Sequence, residues 1–155
     1  MTPDITPAAA TDLSAIFALL DANKLPRAGL EEHVASTLVA RENGDIVGTA
    51  ALELYGSAAL LRSVAVANHL RGRGLGHALT RAALDLAQRR GVRTVYLLTE
   101  TAAGFFPKLG FRPITREHVE RAVLASTEFT TACPESALVM VRSLTPVPRS
   151  LTPDP

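Results

Sequence analysis

The stretch "LRSVAVANHLRGRGLGHALTRAAL", Leu61 to Leu84, decides how this 155-residue chain is read. An apolar run ends at Val66, and Gly72, Gly74 and Gly76 crowd the start of an apolar helical pattern. Glycine inside a helix is about 1 kcal/mol worse than alanine, so three of them there need a reason. The N–H groups that open a helix have no intrahelical partner, and the helix dipole favours negative charge beside them. Glycines without a Cβ let an anion reach those amides, and Arg71 and Arg73 add positive charge at the rim. The segment reads either as a phosphate or pyrophosphate site or as a plain helix cap with turn glycines. A dinucleotide-binding fingerprint fits poorly: arginines interrupt the glycines, and a meander rather than a βαβ unit comes before them. A Walker loop fails because no Gly-Lys-Ser/Thr follows.

Upstream, "TLVARENGDIVGTAALELYGSAALLRSVAV" is divided by Asn43-Gly44 and Gly56-Ser57, which are turn signals. This predicts three antiparallel strands over 37–42, 45–55 and 58–66. Residues 74–90 follow as a helix with Leu75, Leu79, Ala82, Ala83 and Leu86 on one face and Gly91 just past its end. "VRTVYLLT" predicts a strand at 93–98, parallel to 58–66 because the helix is a crossover. A short helix in "AAGFFPKLG", helical residues at 115–125 and a last strand in "SALVMVRSL" complete the pattern. At the other end, Thr6-Pro7 reads as the cap and first position of a helix carrying Leu13, Ile16, Phe17 and Leu20. "LEEHVAS" is at most a short second helix. "TPVPRSLTPDP" holds four of the ten prolines and little to bury. The expected organisation is one domain, 1–144, with a proline-rich disordered tail over 145–155. The fold class is α/β: a mixed, mostly antiparallel sheet with helices on it.

Composition excludes several classes. Hydrophobic residues make up 47% and charged residues 20%, which is globular. A chain of this length can bury roughly 68–70% of its unfolded surface, enough for an ordinary core. A net charge of +1 gives no basic field for nucleic acid. One cysteine, Cys133, allows no internal disulfide and no metal cluster. No apolar run of about 18 residues or basic leader is visible, so no membrane partner and a cytoplasmic setting are expected.

The quoted stretch resembles the acetyl-CoA-binding motif of the GNAT N-acetyltransferases: a strand, a short loop, then Arg/Gln-x-x-Gly-x-Gly/Ala opening a helix. Arg71, Gly74 and Gly76 fill those positions. "FFPKLGF", Phe105 to Phe111, resembles the family's later helix-and-turn signature, and the resemblance covers roughly residues 3–144. More narrowly, "LELYGSAALLRSVAV", "YLLTETAAGFFPKLGF" and "CPESALVM" resemble arsenic-operon-type N-acetyltransferases and short N-acetylglutamate-synthase-like proteins. The resemblance implies a GNAT fold whose sheet splays between the strands at 58–66 and 93–98. It implies acetyl-CoA as co-substrate, no metal, and direct attack by a small-molecule amine in a ternary complex. A second copy of the chain, as a homodimer, is an admissible partner.

The same resemblance assigns roles. The backbone of Ser63, Val64, Ala65 and Val66 pairs with the pantetheine arm, and the N–H near Val64 serves the oxyanion. Amides of Arg71, Gly72, Arg73, Gly74, Leu75, Gly76 and His77 hold the pyrophosphate, with Phe106 bordering the cofactor. An α-amine with a pKa of about 7.7–8.0 needs only a modest base, and Glu53 and Glu100 are the candidates. Each is alternatively a surface or ion-paired acid. Glu53 shares a face with Val47, Thr49, Ala51 and Tyr55 if its strand is regular. Arg62 sits among apolar residues and needs an anion: a substrate carboxylate, or Glu53 on the neighbouring strand. Ser63, Thr99 and Thr101 join Arg62 as substrate candidates. Phe106 stands where many relatives carry a tyrosine acid. Either solvent protonates the leaving thiolate, or Tyr55, Tyr96 or Cys133 stands in. A phenyl ring there also leaves open a non-catalytic acyl-CoA sensor on the same fold. His33 and His118 show no partner in the sequence.

Overall fold

A computed structural model describes residues 3–100, 102–132 and 137–144. The described chain opens with a strand, β1 (Asp4–Pro7), rather than the helix expected from Thr6-Pro7. Thr6 pairs with Val39 and Pro7 with Leu38, and β1 stands at the edge of the sheet, where a missing N–H is tolerated. The helical turn starts later. Asp12 Oδ2 accepts the Ala9 N–H at 2.8 Å and the Arg41 guanidinium at 2.7 Å. The first helix, α1 (Leu13–Ala22), then buries Ile16, Leu19 and Leu20.

The next three strands form as read: β2 (Thr37–Glu42), β3 (Asp45–Tyr55) and β4 (Ala58–Val66). Asn43 at φ 53° and Gly44 at φ 84° make the left-handed two-residue turn between the first two. The second helix, α2 (Leu75–Arg89), crosses over to β5 (Thr94–Thr99), which pairs parallel with β4. Gly91 closes the helix at φ 82°. The "FFPKLG" region forms a 3₁₀ turn at Phe106–Leu109, followed by an edge strand, β6 (Arg112–Ile114), that Pro113 obscured in the sequence. The helix expected over 115–125 is broken into a 3₁₀ turn, Arg116–His118, and one turn of α3 (Arg121–Leu124), because Glu120 between them is extended. The last strand is β7 (Leu138–Ser143). The sheet order is β1-β2-β3-β4-β5-β7-β6, and among the described residues only β4–β5 is parallel. Residues 145–155, expected as a tail, lie outside the described residues.

Leu38, Ala50, Leu52, Leu61, Leu97 and Met140 form the core beneath α2. On the other face Ile16, Leu20, Val39 and Ala65 pack under α1, and Leu60, Tyr96, Val123 and Val141 gather beside α3. One irregularity corrects the regular-strand reading of β3. Ala40 faces Gly48 but Arg41 faces Ile46, so Val47 is an extra residue. Val47 consequently joins the core beneath α2, away from Glu53. Gly48 faces the same way: a Cβ there would lie 2.7 Å from Leu79 Cδ1. Leu79→Ala should cost about 2–5 kcal/mol and Gly48→Ala about 1–3 kcal/mol by overpacking. In the double variant the new methyl occupies part of the space that Leu79 leaves, so urea unfolding should give a loss well below the sum. Simple additivity would show that α2 does not press on β3 this closely.

Candidate active site

The geometry of the site begins with a strand that loses one neighbour. β4 pairs with β3 along its length, yet it pairs with β5 only from Ala58 to Leu61. Past Leu61 the two strands part and open a cleft of about 990 Å³. Here β4 also bulges. Thr49 faces Ala65 and Ala51 faces Arg62, so Ala50 stands opposite both Ser63 and Val64. Ser63 takes the left-handed conformation, φ 59°, which costs a non-glycine residue on the order of 1 kcal/mol. Residues 62–66 thus run along the cleft with no strand on their β5 side.

The far end of the cleft is the start of α2. Ala78 N–H makes the first bond back, to the Gly74 carbonyl at 3.0 Å, so the N–H groups of Leu75, Gly76 and His77 have no intrahelical acceptor. Gly72 at φ 79° and Gly74 at φ 84° need glycine for their backbone, and a Cβ at either would meet nothing within 4 Å. Gly76 is different. A Cβ there would come 3.3 Å from the Phe105 ring, which itself packs on His77 at 4.8 Å between centroids. Its smallness serves the packing of Phe105. Arg71 lines the cleft and bonds Asn23 Oδ1, whereas Arg73 is exposed and does not line it. Phe106 lines the cleft, buried edge-to-face between Phe105 and Phe111.

The middle wall carries charge. Arg62 and Glu53 are 0% and 1% exposed at their side chains and meet at 2.8 Å, Nη1 to Oε2. Nη2 reaches Glu128 Oε2 at 3.3 Å and the Pro26 carbonyl at 3.3 Å, and Nε donates to Ser63 Oγ at 3.1 Å. Of the two partners expected for Arg62, the internal one is present, and a second acid has joined it. Glu53 in turn accepts the Tyr55 hydroxyl at 2.5 Å and lies 3.8 Å from His33 Nε2. Burial pushes the Glu53 carboxyl up, but hydrogen bonds from Ser126, Tyr55 and Arg62, with the Arg62 charge, outweigh it and hold the carboxyl below its usual range. The same burial and the same partnership with Glu53 push the Tyr55 phenol up to about 12.

Several expected residues are brought together and others are not. Arg62, Ser63, Val64, Ala65, Val66, Thr99 and Glu100 all line the cleft. Glu53 does not: it sits behind Arg62, committed to four partners. Glu100 is exposed, and Thr99 Oγ1 accepts the Ala102 N–H at 3.0 Å. Tyr96 bonds Glu120 at 3.1 Å, and neither it nor Tyr55 lines the cleft, so neither phenol stands in for the tyrosine absent at Phe106. Thr101 and Cys133 lie outside the described residues. His33, on Glu53, and His118, on Thr115 at 2.7 Å, do have partners. Glu128 and the segment Asn23–Pro26 are additions: both reach the cleft from elements far away in the sequence, and no local motif marks them. Among the described residues, no three acidic, histidine or cysteine side chains gather as a metal site would need.

The acetyltransferase (GNAT) domain family matches residues 33–113, which span β2 through β6 and hold both the bulge and the glycine loop. The chain belongs to this family. An uncharacterized N-acetyltransferase of Chlorobaculum tepidum is 30% identical over 118 residues, 73% of this chain and 74% of the relative. The Mycobacterium tuberculosis protein Rv2747, solved with CoA and NLQ, is 26% identical with a TM-score of 0.78 over 92% of this chain and 100% of that one. The N-acetylglutamate synthase of Neisseria gonorrhoeae, solved with CoA and N-acetyl-glutamate, has the same fold at a TM-score of 0.80 and 20% identity. This chain covers 94% of its own length there but 36% of the synthase's, about a third of that protein. The expected GNAT fold and acetyl-CoA-dependent N-acetyltransferase class are borne out by these matches.

In this GNAT domain the Arg62 contacts predict a strong stability effect. Arg62→Ala leaves Glu53 and Glu128 buried without their cation, a loss of about 3–5 kcal/mol by thermal or urea unfolding. Glu53→Gln tests the linkage. With its folded pKa below the ordinary 4.5, Glu53 stabilises fully above that value and loses its contribution as pH falls through the folded value. The wild type should therefore lead Glu53→Gln in melting temperature at neutral pH, and the gap should close on acidification. A gap independent of pH would mean that Glu53 is not held ionised by Arg62.

Proposed function

We propose that this cleft moves the acetyl group of acetyl-CoA to the amine of a small amino acid or analogue, by direct attack within a ternary complex. One observation carries the reading: the β4 backbone, bulged and without a partner strand beyond Leu61, runs toward the N-terminus of α2. An extended pantetheine arm can add to residues 63–66 as a strand would. Its pyrophosphate then meets the N–H groups of Gly74 to His77 and the charge of Arg71. The bulge turns backbone at Ser63–Val64 out of the β3 ladder, which suits the Val64 N–H to a thioester carbonyl. As the amine attacks, negative charge grows on that oxygen, and one fixed donor of this kind is worth about 10²–10³ in rate. The carbon–sulfur bond breaks, the thiolate leaves, and the nitrogen loses a proton to water as it becomes the amide that keeps the acetyl group. Phe106 cannot supply a proton, so water serves the thiolate.

The finer reading of the substrate is an acidic, glutamate-like amino acid, or an arsenic-containing analogue of one, acetylated in the cytoplasm. The fold shared with N-acetylglutamate synthase supports it. Arg62 can grip such a carboxylate only by exchanging a partner it already has, Glu128 or the Pro26 carbonyl. The test is a thiol-release assay with acetyl-CoA over a panel of amino acids. CoA binding without turnover of any amine would favour an acyl-CoA sensor instead.

Gly74→Glu should abolish acetyl-CoA binding in a folded protein, because it sets a side chain and a negative charge where the pyrophosphate belongs. Calorimetry that finds undiminished CoA affinity would sink the cofactor assignment. Phe106→Tyr should leave kcat within a few-fold. A rise near 10²-fold, the scale of general acid catalysis, would show that the thiolate does need a protein acid.

A further inference from the structure

Residues that follow each other along a regular strand point to opposite faces of the sheet. Arg62 and Ser63 meet instead: Arg62 Nε donates to Ser63 Oγ at 3.1 Å, and both residues are buried. The bulge explains the contact. Ala50 stands opposite both Ser63 and Val64, and Ser63 turns left-handed at φ 59°. That turn brings Oγ round to the guanidinium. In a regular strand the same hydroxyl would face away from Arg62, so the bond belongs to the bulged form alone. Ser63 is also an unfavourable residue for its backbone. Among the described residues, Lys24, Asn43 and Ser63 are the non-glycines with positive φ. Asn43 stands in a two-residue turn that suits asparagine. At Ser63 a glycine would take the left-handed conformation without strain. Strained residues persist where their surroundings over-determine them, and they gather at functional sites. The surroundings here are explicit. The guanidinium that holds Ser63 is itself held by Glu53 at 2.8 Å and by the Pro26 carbonyl at 3.3 Å.

We propose that Ser63 is a positioning residue: its hydroxyl, gripped by Arg62, locks the bulge that aims the Val64 N–H at the thioester carbonyl. The lock rests on the acetyl transfer proposed above. A glycine at this place would reach the same φ and many others, so the bulge would no longer be held in one form. Register sets what is at stake. Past the bulge, Val64 packs toward the core beneath α2 and Ala65 toward the core under α1. Losing the extra residue would exchange those faces and re-aim the Val64 N–H. A donor accelerates acyl transfer because it is in place before charge develops on the oxygen, and a donor that wanders gives up that advantage. Serine therefore stands where glycine would be easier, because only a side chain can be gripped.

Two substitutions separate the lock from ordinary packing, assayed with acetyl-CoA and the amino acid that the panel above turns over fastest. Ser63→Gly removes the hydroxyl and the strain together. It should melt within about 4 °C of the wild type, because the two changes oppose each other. Its kcat should nevertheless fall by about 10-fold or more, part of the 10²–10³ that a fixed donor gives. Ser63→Thr keeps the oxygen but sets a β-branched residue at positive φ. It should melt lower than the wild type and keep kcat within about three-fold. Stability and kcat thus rank the two variants in opposite order, which a purely structural role does not produce. Both KM values should stay within about three-fold in each variant, as for a contact that matters in the transition state. A Ser63→Gly enzyme with kcat within about two-fold of the wild type refutes the lock. So does one whose amine KM rises while kcat holds, because Ser63 would then be touching the amine. If Ser63→Thr does not fold, Ser63→Gly decides alone. Nitrogen-15 relaxation dispersion gives a readout free of turnover. Without ligand, the Val64 amide should show μs–ms exchange in Ser63→Gly and none in the wild type. Equal dispersion at Val64 in the two proteins overturns the inference. A wild type that binds CoA and acetylates no amine would instead end the acetyl-transfer reading, a result distinct from an unmoved kcat or an unmoved Val64 amide.

Discussion

The cleft of this molecule depends on one strand having a neighbour on only one side. β4 is the centre of the sheet for its first four residues and an inner edge for the rest. Unpaired backbone in the middle of a protein is normally a defect, because buried N–H and C=O groups require partners. Here the parting of β4 and β5 is compensated on two sides. β3 follows β4 through the bulge, so the ladder on that side continues. The Arg62 side chain, with Glu53, Glu128 and the Pro26 carbonyl, fills the wall where the strands part. The cleft is thus a place where the fold withholds a partner strand from residues 62–66.

The charged wall makes sense in the same terms. A buried ion cluster rarely adds net stability over a well-packed apolar one, and it does specify geometry. Arg62 connects the left-handed Ser63 of β4, Glu53 of β3, the Pro26 carbonyl after α1, and Glu128 in the turn before β7. Four separate segments meet on one guanidinium. A leucine at Arg62 could pack, but it would not hold Ser63 in its left-handed turn or fix the two loops that bound the cleft. The price is a cluster whose stability depends on Glu53 staying ionised.

Much of this was legible in the sequence, and the reasons are physical. β2, β3 and β4 were readable to the residue because Asn43-Gly44 and Gly56-Ser57 are local turn chemistry. α2 and its glycines were readable because capping and periodicity are local too. β1 and β6 were not, since each contains a proline and owes its strand state to a neighbour: β1 to β2, β6 to β7. Thr6-Pro7 shows the limit most clearly. Its local chemistry favours a helix start, and the ladder with β2 overrides it. Both strand irregularities were invisible for a similar reason. An extra residue at Val47 and at Ser63–Val64 is a property of the pairing, so alternation placed Val47 on the wrong face. At the site, Arg62 was legible as a cation needing an anion, and Glu53 as one such anion. Glu128 was not, because only the tertiary fold brings the turn before β7 onto the end of β4.

The loop after α1 links these parts. Asn23 accepts from Arg71 at the glycine-loop end of the cleft, and three residues later the Pro26 carbonyl accepts from Arg62 at the charged wall. Between them Lys24 takes the left-handed conformation at φ 58° while lining the cleft. The Leu25 N–H bonds back to the Leu20 carbonyl at 2.9 Å, which fixes Lys24 as the C-terminal turn residue of α1, a position where glycine is usual. One short segment therefore touches both Arg71 at the glycine loop and Arg62 at the charged wall. An anion that draws Arg71 away from Asn23 frees one end of this loop while Arg62 keeps the other. The glycine-loop end and the charged wall of the cleft are in this way joined by covalent chain as well as by the shared strand β4.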